Sequence, residues 1–172
     1  LWGVTMRPDK NDYDPFYENY IKLVEGDDVN KILSAQSTET QDVLNSFPKS
    51  MGNYAYQPGK WTVKEVIGHL IDTERVMAYR AMCIARGEKQ PLPGFNQDEY
   101  VKAGDFNNRE LSDLVYEFRL LRESNMLLAK GLSSEALSKR GVANNKEVTV
   151  LALFFIIAGH EKHHMNVLLE KY

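Results

Sequence analysis

The last twenty-two residues, LALFFIIAGHEKHHMNVLLEKY (151–172), join eight consecutive apolar residues to a glycine and then to histidines at 160, 163 and 164. A run that is apolar on every side marks a helix surrounded by protein. Imidazoles, however, need partners wherever they are buried. The helical wheel reconciles the two. At about 100° per residue, with Ile157 as reference, Val150, Leu153, Phe154, His164 and Leu168 fall within about 60° of it, and His160 sits at the edge of that arc. His163 lies about 120° away. The spacing predicts a helix from near Val148 to the C-terminus that turns His160 and His164 inward and His163 to the flank.

Helical spacing recurs in three earlier stretches. Val29, Ile32, Leu33, Val43, Leu44 and Phe47 share a stripe that ends at Pro48, weakened in the middle by Gln36 and Thr40. After the turn-rich PKSMGNYAYQPGK (48–60), the stretch WTVKEVIGHLIDTERVMAYRAMCIARGE (61–88) opens with Thr62 at an N-cap and Glu65 three residues on, the pattern of a capping box. A third pattern runs from about Asn108 to Leu132 on Leu111, Leu114, Val115, Phe118, Leu121 and Leu128. Between the second and third patterns, QPLPGFNQDEY (90–100), with two prolines and a glycine, is expected to be a long crossing or loop. A short apolar stretch (Phe16, Tyr17, Tyr20, Ile21, Val24) precedes them all. With no strand pattern longer than a few residues and no repeat, the expected fold is all-α: a four-helix bundle in a single domain spanning 1–172, with a long connection between helices 2 and 3.

Composition narrows the function. At 43% hydrophobic and 26% charged the chain reads as globular. The longest apolar run, Val148 to Ala158, is interrupted by Thr149 and falls well short of the roughly 20 residues a spanning helix needs, so no membrane partner is expected. A net charge of -3 with no block of Lys or Arg argues against nucleic acid. The lone Cys83 excludes an internal disulfide, reads as core filler, and fits a reducing cytoplasm. Leu1 to Tyr20 contains no signal-peptide core. Leu1 to Thr5, ahead of Met6, are expected to be an expression-derived extension.

The chemistry lies in the histidines. His160 and His164 are one turn apart, the spacing that lets two imidazoles meet one metal from a single helix. His69, in VIGHLIDTE (66–74), again follows an apolar pair and a glycine, on the second helix, at the edge of the stripe formed by Val63, Val66, Leu70, Met77 and Ala81. Three core-directed imidazoles from two helices suit a divalent ion such as Zn, Ni, Fe or Cu and leave a coordination position open, the catalytic pattern. The alternative is a set of core histidines bonded to glutamates or carbonyls, or a solvated helix end. Glu74 and Glu161 point inward and either orient an imidazole, act as a base, or pair with Arg122. Arg122, which with Asn125 interrupts the Phe118 stripe, needs an anion: one of those glutamates or a substrate carboxylate. Asp72 lies one turn from His69.

Three segments carry a family resemblance: PGKWTVKEVIGHLIDTERVMAYR (58–80), ARGEKQPLPGFNQDEYV (85–101) and IIAGHEKHHMNVLLEKY (156–172). In this order they resemble the DinB-like superfamily and, within it, the YfiT-like proteins to which metal-dependent hydrolysis is ascribed. The resemblance runs from about Tyr13 to Tyr172. It implies a four-helix bundle, often dimeric, with zinc or nickel held by His69, His160 and His164. It also implies a small-molecule substrate and, for some members, S-transfer or isomerisation with a low-molecular-weight thiol such as bacillithiol or mycothiol. A non-catalytic, stress-related metal-binding role is a further alternative. Relatives commonly carry aspartate where this chain has Asn96, which bears on substrate or activity.

Overall fold

The computed structural model describes residues 6–172, so the expected extension at Leu1 to Thr5 lies outside the described residues. In chain order the helices are α1 (Glu18–Ile21), α2 (Val29–Ser46), α3 (Val63–Ala85), α4 (Gln97–Gly104), α5 (Leu111–Lys130), α6 (Ser134–Ser138) and α7 (Val150–Lys171). Strands β1 (Arg140–Ala143) and β2 (Lys146–Thr149) form a small hairpin before α7. The four long helices α2, α3, α5 and α7 make the expected four-helix bundle.

Local chemistry sets where these helices begin. Asp28 Oδ1 accepts from the amides of Asn30 and Lys31 and starts α2. The predicted capping box is present on α3: Thr62 Oγ1 accepts from the Glu65 amide at 3.1 Å, and the Thr62 amide donates to Glu65 Oε2 at 2.8 Å. Thr149, read from sequence only as an interruption of an apolar run, caps α7 by accepting from the Ala152 amide. The last helix therefore starts at Val150, two residues later than expected, and the third covers Leu111–Lys130 rather than 108–132.

The connection between α3 and α5 departs further from expectation. Its second half is helical, because Asn96 Oδ1 accepts from the amides of Asp98 (3.0 Å) and Glu99 (3.3 Å) and opens α4 within the stretch expected to be loop. Asparagine and aspartate cap equally well, so Asn96 does here what an aspartate at this position could do. The β1–β2 hairpin turns on Asn144 and Asn145, both at positive φ (51° and 60°), the geometry of a two-residue type I′ turn. Leu92 joins the hairpin edge, its amide donating to Val142 O and its carbonyl accepting from Asn144.

Every residue from Val150 to Glu161 is buried, which explains why α7 is apolar all round: α1, α2 and α3 pack on it from different sides. Apolar packing divides into two clusters. One gathers the start of α2, the second half of α3, Ala129 and the first half of α7; the other gathers Leu44, the first half of α3, the first half of α5, and Met165 and Leu168. Between them all four long helices contribute polar residues that are buried: Thr40, His69, Thr73, Glu74, Arg122, Asn125, His160 and Glu161.

Half of this polar layer is an ion network. Arg122 Nε and Nη2 donate to the two oxygens of Glu74 at 2.9 and 2.8 Å, and Asn125 Nδ2 donates to Glu74 Oε1 at 3.1 Å. Arg122 also pairs with Glu161, whose other oxygen accepts from Thr40 Oγ1. Burial works against the guanidinium charge, but Glu161 and Glu74 outweigh it and hold the Arg122 pKa above its ordinary value. Burial in turn raises the Glu161 pKa, against the pull of Arg122. Removing one partner leaves an uncompensated buried charge, so Arg122→Met is expected to cost about 3–5 kcal/mol, read by denaturant unfolding. Replacing Glu74, Arg122 and Glu161 together by apolar residues of similar volume should recover most of that loss.

Candidate metal centre

The other half of the polar layer is imidazole. His69 Nε2 and His160 Nε2 stand 2.9 Å apart, and His164 completes a cluster in which one ring nitrogen from each residue lies within 4.8 Å of the others. Ring centroids are separated by 4.8 Å (His69–His160), 4.9 Å (His69–His164) and 4.5 Å (His160–His164). His69 and His160 are buried and His164 is half-buried. His163 lies exposed on the flank, as the wheel predicts, with its ring 5.0 Å from that of His164.

Electrostatics keeps these rings neutral. Burial pushes His69 down to about 4. Burial and then the neighbouring rings of His69 and His163 push His164 down to about 3, and burial with the three other imidazoles lowers His160 well below its ordinary value. Thr73 Oγ1 sits 3.4 Å from His69 Nδ1. That contact holds the ring with Nδ1 toward Thr73 and Nε2 toward His160. Two imidazole nitrogens at 2.9 Å with lone pairs facing each other are unfavourable unless a proton or a cation lies between them. Three converging neutral nitrogen donors are a ligand set suited to zinc or nickel.

Two glycines allow the walls to close. A Cβ on Gly159 would lie 2.2 Å from the Tyr20 carbonyl oxygen, so the absence of a side chain lets the backbone of α1 rest on α7 beside His160. A Cβ on Gly68 would lie 2.4 Å from the Phe106 ring, which packs on α3 beside His69. The recurrence of glycine before histidine in both motifs is thus a packing requirement. The Tyr20 ring then meets His160 and His163 edge-on, each at 5.4 Å. Trp61 covers the opposite side, 4.7 Å from His69 and stacked on His164 at 6.5 Å, with its carbonyl accepting from the Tyr172 hydroxyl at 2.5 Å.

Of the sequence-derived candidates, the structure brings His69, His160 and His164 together and places Glu74, Glu161, Arg122 and Asn125 in the neighbouring ion network. Asp72 is half-buried, its pKa raised by burial, and faces Arg75, Arg109 and Glu117. Cys83 packs at the edge of the core, as expected for filler. Sequence reading assigned no role to Tyr20, Trp61 or Thr73. Thr73 was within reach, one turn beyond His69 on the same helix, whereas the two aromatics arrive from outside the long helices.

A family model of the DinB superfamily matches residues 32–168, from α2 to the last turns of α7. The chain belongs to the DinB superfamily. It is 23% identical over 143 residues, 81% of this chain and 82% of the relative, to a protein of Oceanobacillus iheyensis named "Putative metal-dependent hydrolase OB0413". Among solved structures it resembles Bacillus subtilis YfiT, described as "a probable metal-dependent hydrolase with an unusual four-helix bundle topology", with a TM-score of 0.75, 15% identity, and coverage of 95% of this chain and 90% of that one. It also resembles a mycothiol-dependent maleylpyruvate isomerase, with a TM-score of 0.63 and 13% identity, covering 83% of this chain and 58% of that one. At these identities the solved structures establish a shared fold. Among the described residues no helix is long and apolar enough to cross a membrane.

Two outcomes follow from the site's construction. Gly159→Ala forces the Tyr20 backbone away from α7 and is expected to cost about 1–3 kcal/mol in thermal or denaturant unfolding. In chelator, stability should fall as pH drops from about 6.5 toward 4. In that window the unfolded chain binds imidazolium protons that the folded chain, with its depressed histidine pKa values, does not. Above it these rings contribute no slope, and urea titrations at pH 7.5, 6 and 5 measure the difference.

Proposed function

We propose that this protein is a divalent-metal enzyme in which His69, His160 and His164 hold zinc or nickel and leave a coordination position open to a small molecule. The observation that carries this reading is the convergence within 4.8 Å of three neutral imidazoles, those of His69 and His160 buried and that of His164 half-buried. Buried lone pairs without a partner cost about 1–3 kcal/mol each, and one ion offsets all three. When bound, the ion supplies Lewis-acid polarisation and lowers the pKa of the nucleophile it coordinates.

The protein's own residues do the rest. Thr73 orients His69, while Trp61 and Tyr20 wall the rings from either side and limit access of water. Glu74, Arg122 and Glu161 serve as positioning residues: by fixing the rotation of α7 against α3 and α5, they keep His160 and His164 turned inward. In this reading the reaction is hydrolysis of a small-molecule substrate, consistent with the names carried by the Oceanobacillus protein and by YfiT. Transfer to a low-molecular-weight thiol is the second reading, favoured by the fold shared with a mycothiol-dependent isomerase. A cytoplasmic setting and a homodimer belong to the same proposal.

Elemental analysis of protein purified without a nickel column is expected to give about one ion per chain, in line with a single three-donor site. His160→Ala should lose that ion while keeping its helical circular dichroism; unchanged metal content would reject the site. The metal-loaded protein is then assayed on ester and amide panels and on thiol–electrophile pairs. Turnover abolished in His160→Ala establishes the enzyme and, by the panel in which it appears, separates hydrolysis from thiol transfer. A chelator-sensitive melting temperature with no turnover would leave the metal as a staple between α3 and α7.

A further inference from the structure

Arg80 lies on α3 and is 3% exposed. No Asp or Glu oxygen of the described residues comes within salt-bridge distance of it. Its Nη2 donates to the Pro93 carbonyl at 2.6 Å and its Nη1 contacts the Met77 sulfur, a weak acceptor, at 3.6 Å. The Tyr17 hydroxyl lies beside it. None of these groups carries a compensating charge. Burial lowers the Arg80 pKa, yet a guanidinium stays protonated in proteins. A cation held this way is costly unless an anion arrives to meet it. The other buried arginine of the bundle, Arg122, has two glutamates.

Arg80 is also in the wall of a cleft. The cleft holds about 240 Å³ between α3, the 92–95 segment and α4, and its remaining surface is largely apolar and aromatic: Val76, Leu92, Phe95, Tyr100. The neighbouring Arg75 is already engaged by Glu117 at 2.7 Å. Along α3, Val76 and Arg80 each fall within about 20° of His69 on the wheel, so the cleft and His69 occupy one face of the helix. The segment from Tyr17 to Tyr20 touches both places, with Tyr17 at Arg80 and Tyr20 against His160.

We propose that this cleft is an anion-recognition subsite in which Arg80 binds the carboxylate of a small molecule whose flat apolar body lies against Val76, Leu92, Phe95 and Tyr100. The inference rests on the metal-site reading for its role in a reaction: it makes the substrate or thiol cofactor an amphiphilic carboxylate. Arg80 and His69 are about 16 Å apart along the helix axis, so the recognised end of such a molecule sits well away from the reacting end.

The test titrates benzoate, with benzamide as the neutral isostere, into the full-length metal-loaded protein by calorimetry. Benzoate is expected to bind at least tenfold more tightly than benzamide. Arg80→Met should abolish that preference, and Arg80→Lys should retain part of it. Val76→Glu provides a route that leaves Arg80 in place: it sets a carboxylate one turn before Arg80, the favourable acidic-to-basic i,i+4 order, and should weaken benzoate at least tenfold. Equal binding of benzoate and benzamide, or benzoate affinity unchanged in a folded Arg80→Met or in Val76→Glu, overturns the proposal. His160→Ala separates this inference from the metal reading. Benzoate binding lost in His160→Ala and kept in Arg80→Met puts the anion on the metal and overturns the subsite. Arg80-dependent binding in a protein that takes up no metal upholds the subsite and removes the metal reading.

Discussion

A single polar layer through the middle of the bundle constrains everything else in this structure. Thr40 from α2, His69, Thr73 and Glu74 from α3, Arg122 and Asn125 from α5, and His160 and Glu161 from α7 are buried at one level, with an apolar cluster on each side. Burying so many polar groups is unfavourable unless each finds a partner, and the partners lie on different helices. The layer therefore fixes both the axial register and the rotation of the four helices. A slip of one residue on α7 would take His160 from His69 and Glu161 from Arg122 at the same time. Because His160 and Glu161 are adjacent in sequence, they point about 100° apart, one toward the imidazoles and the other toward the ion network. The charged half of the layer thus acts as a jig for the neutral half.

The two halves settle their electrostatics in opposite ways. Around Arg122 the burden of burial is met by proximity of opposite charges, with geometry that places guanidinium nitrogens on both oxygens of Glu74. Around the histidines it is met by neutrality: three rings brought together, each held unprotonated by burial and, at His160 and His164, by the neighbouring rings as well. Neutral imidazole is the form in which histidine donates a lone pair to a metal, so the environment that disfavours imidazolium is also the one that prepares a ligand set. The glycines at 68 and 159 belong to this economy, since they let Phe106 and the Tyr20 backbone seal the helices close to the rings.

Much of this was legible in the sequence, and what escaped did so for identifiable reasons. Helical periodicity separated His160 and His164 from His163, because α7 keeps a regular 100° step and its surroundings are apolar on the inward arc. The capping box at Thr62 and Glu65 was legible because both halves of the motif are local. The hairpin at 140–149 was not, since strands of four residues offer too little alternation and the positive φ of Asn144 and Asn145 is a turn signal that reads equally well as loop. The start of α4 was hidden by Pro91, Pro93 and Gly94 just ahead of it. At the site, Trp61 and Tyr20 could not be placed: each reaches the histidines through a tertiary path, Trp61 from the turn before α3 and Tyr20 from α1 across a glycine, and neither path leaves a periodic trace.

The fate of the buried arginines shows how far residue type alone can carry a functional reading. From sequence, Arg122 needed an anion, either an internal glutamate or a substrate carboxylate, and the wheel could not choose because both options require the same inward orientation. The fold chooses by supplying two carboxylates from α3 and α7. Arg80, three residues after Met77 on α3, carries no sequence signal because an arginine on a helix is ordinarily solvated. It is the 92–95 segment, joined to the hairpin through Leu92, that covers it and turns an ordinary helix-surface cation into a buried one. The connection least readable in the sequence is therefore the one that creates the unmet charge. In a bundle whose four long helices satisfy one another, the short elements between α3 and α7 are what give this chain a surface of its own to recognise a ligand.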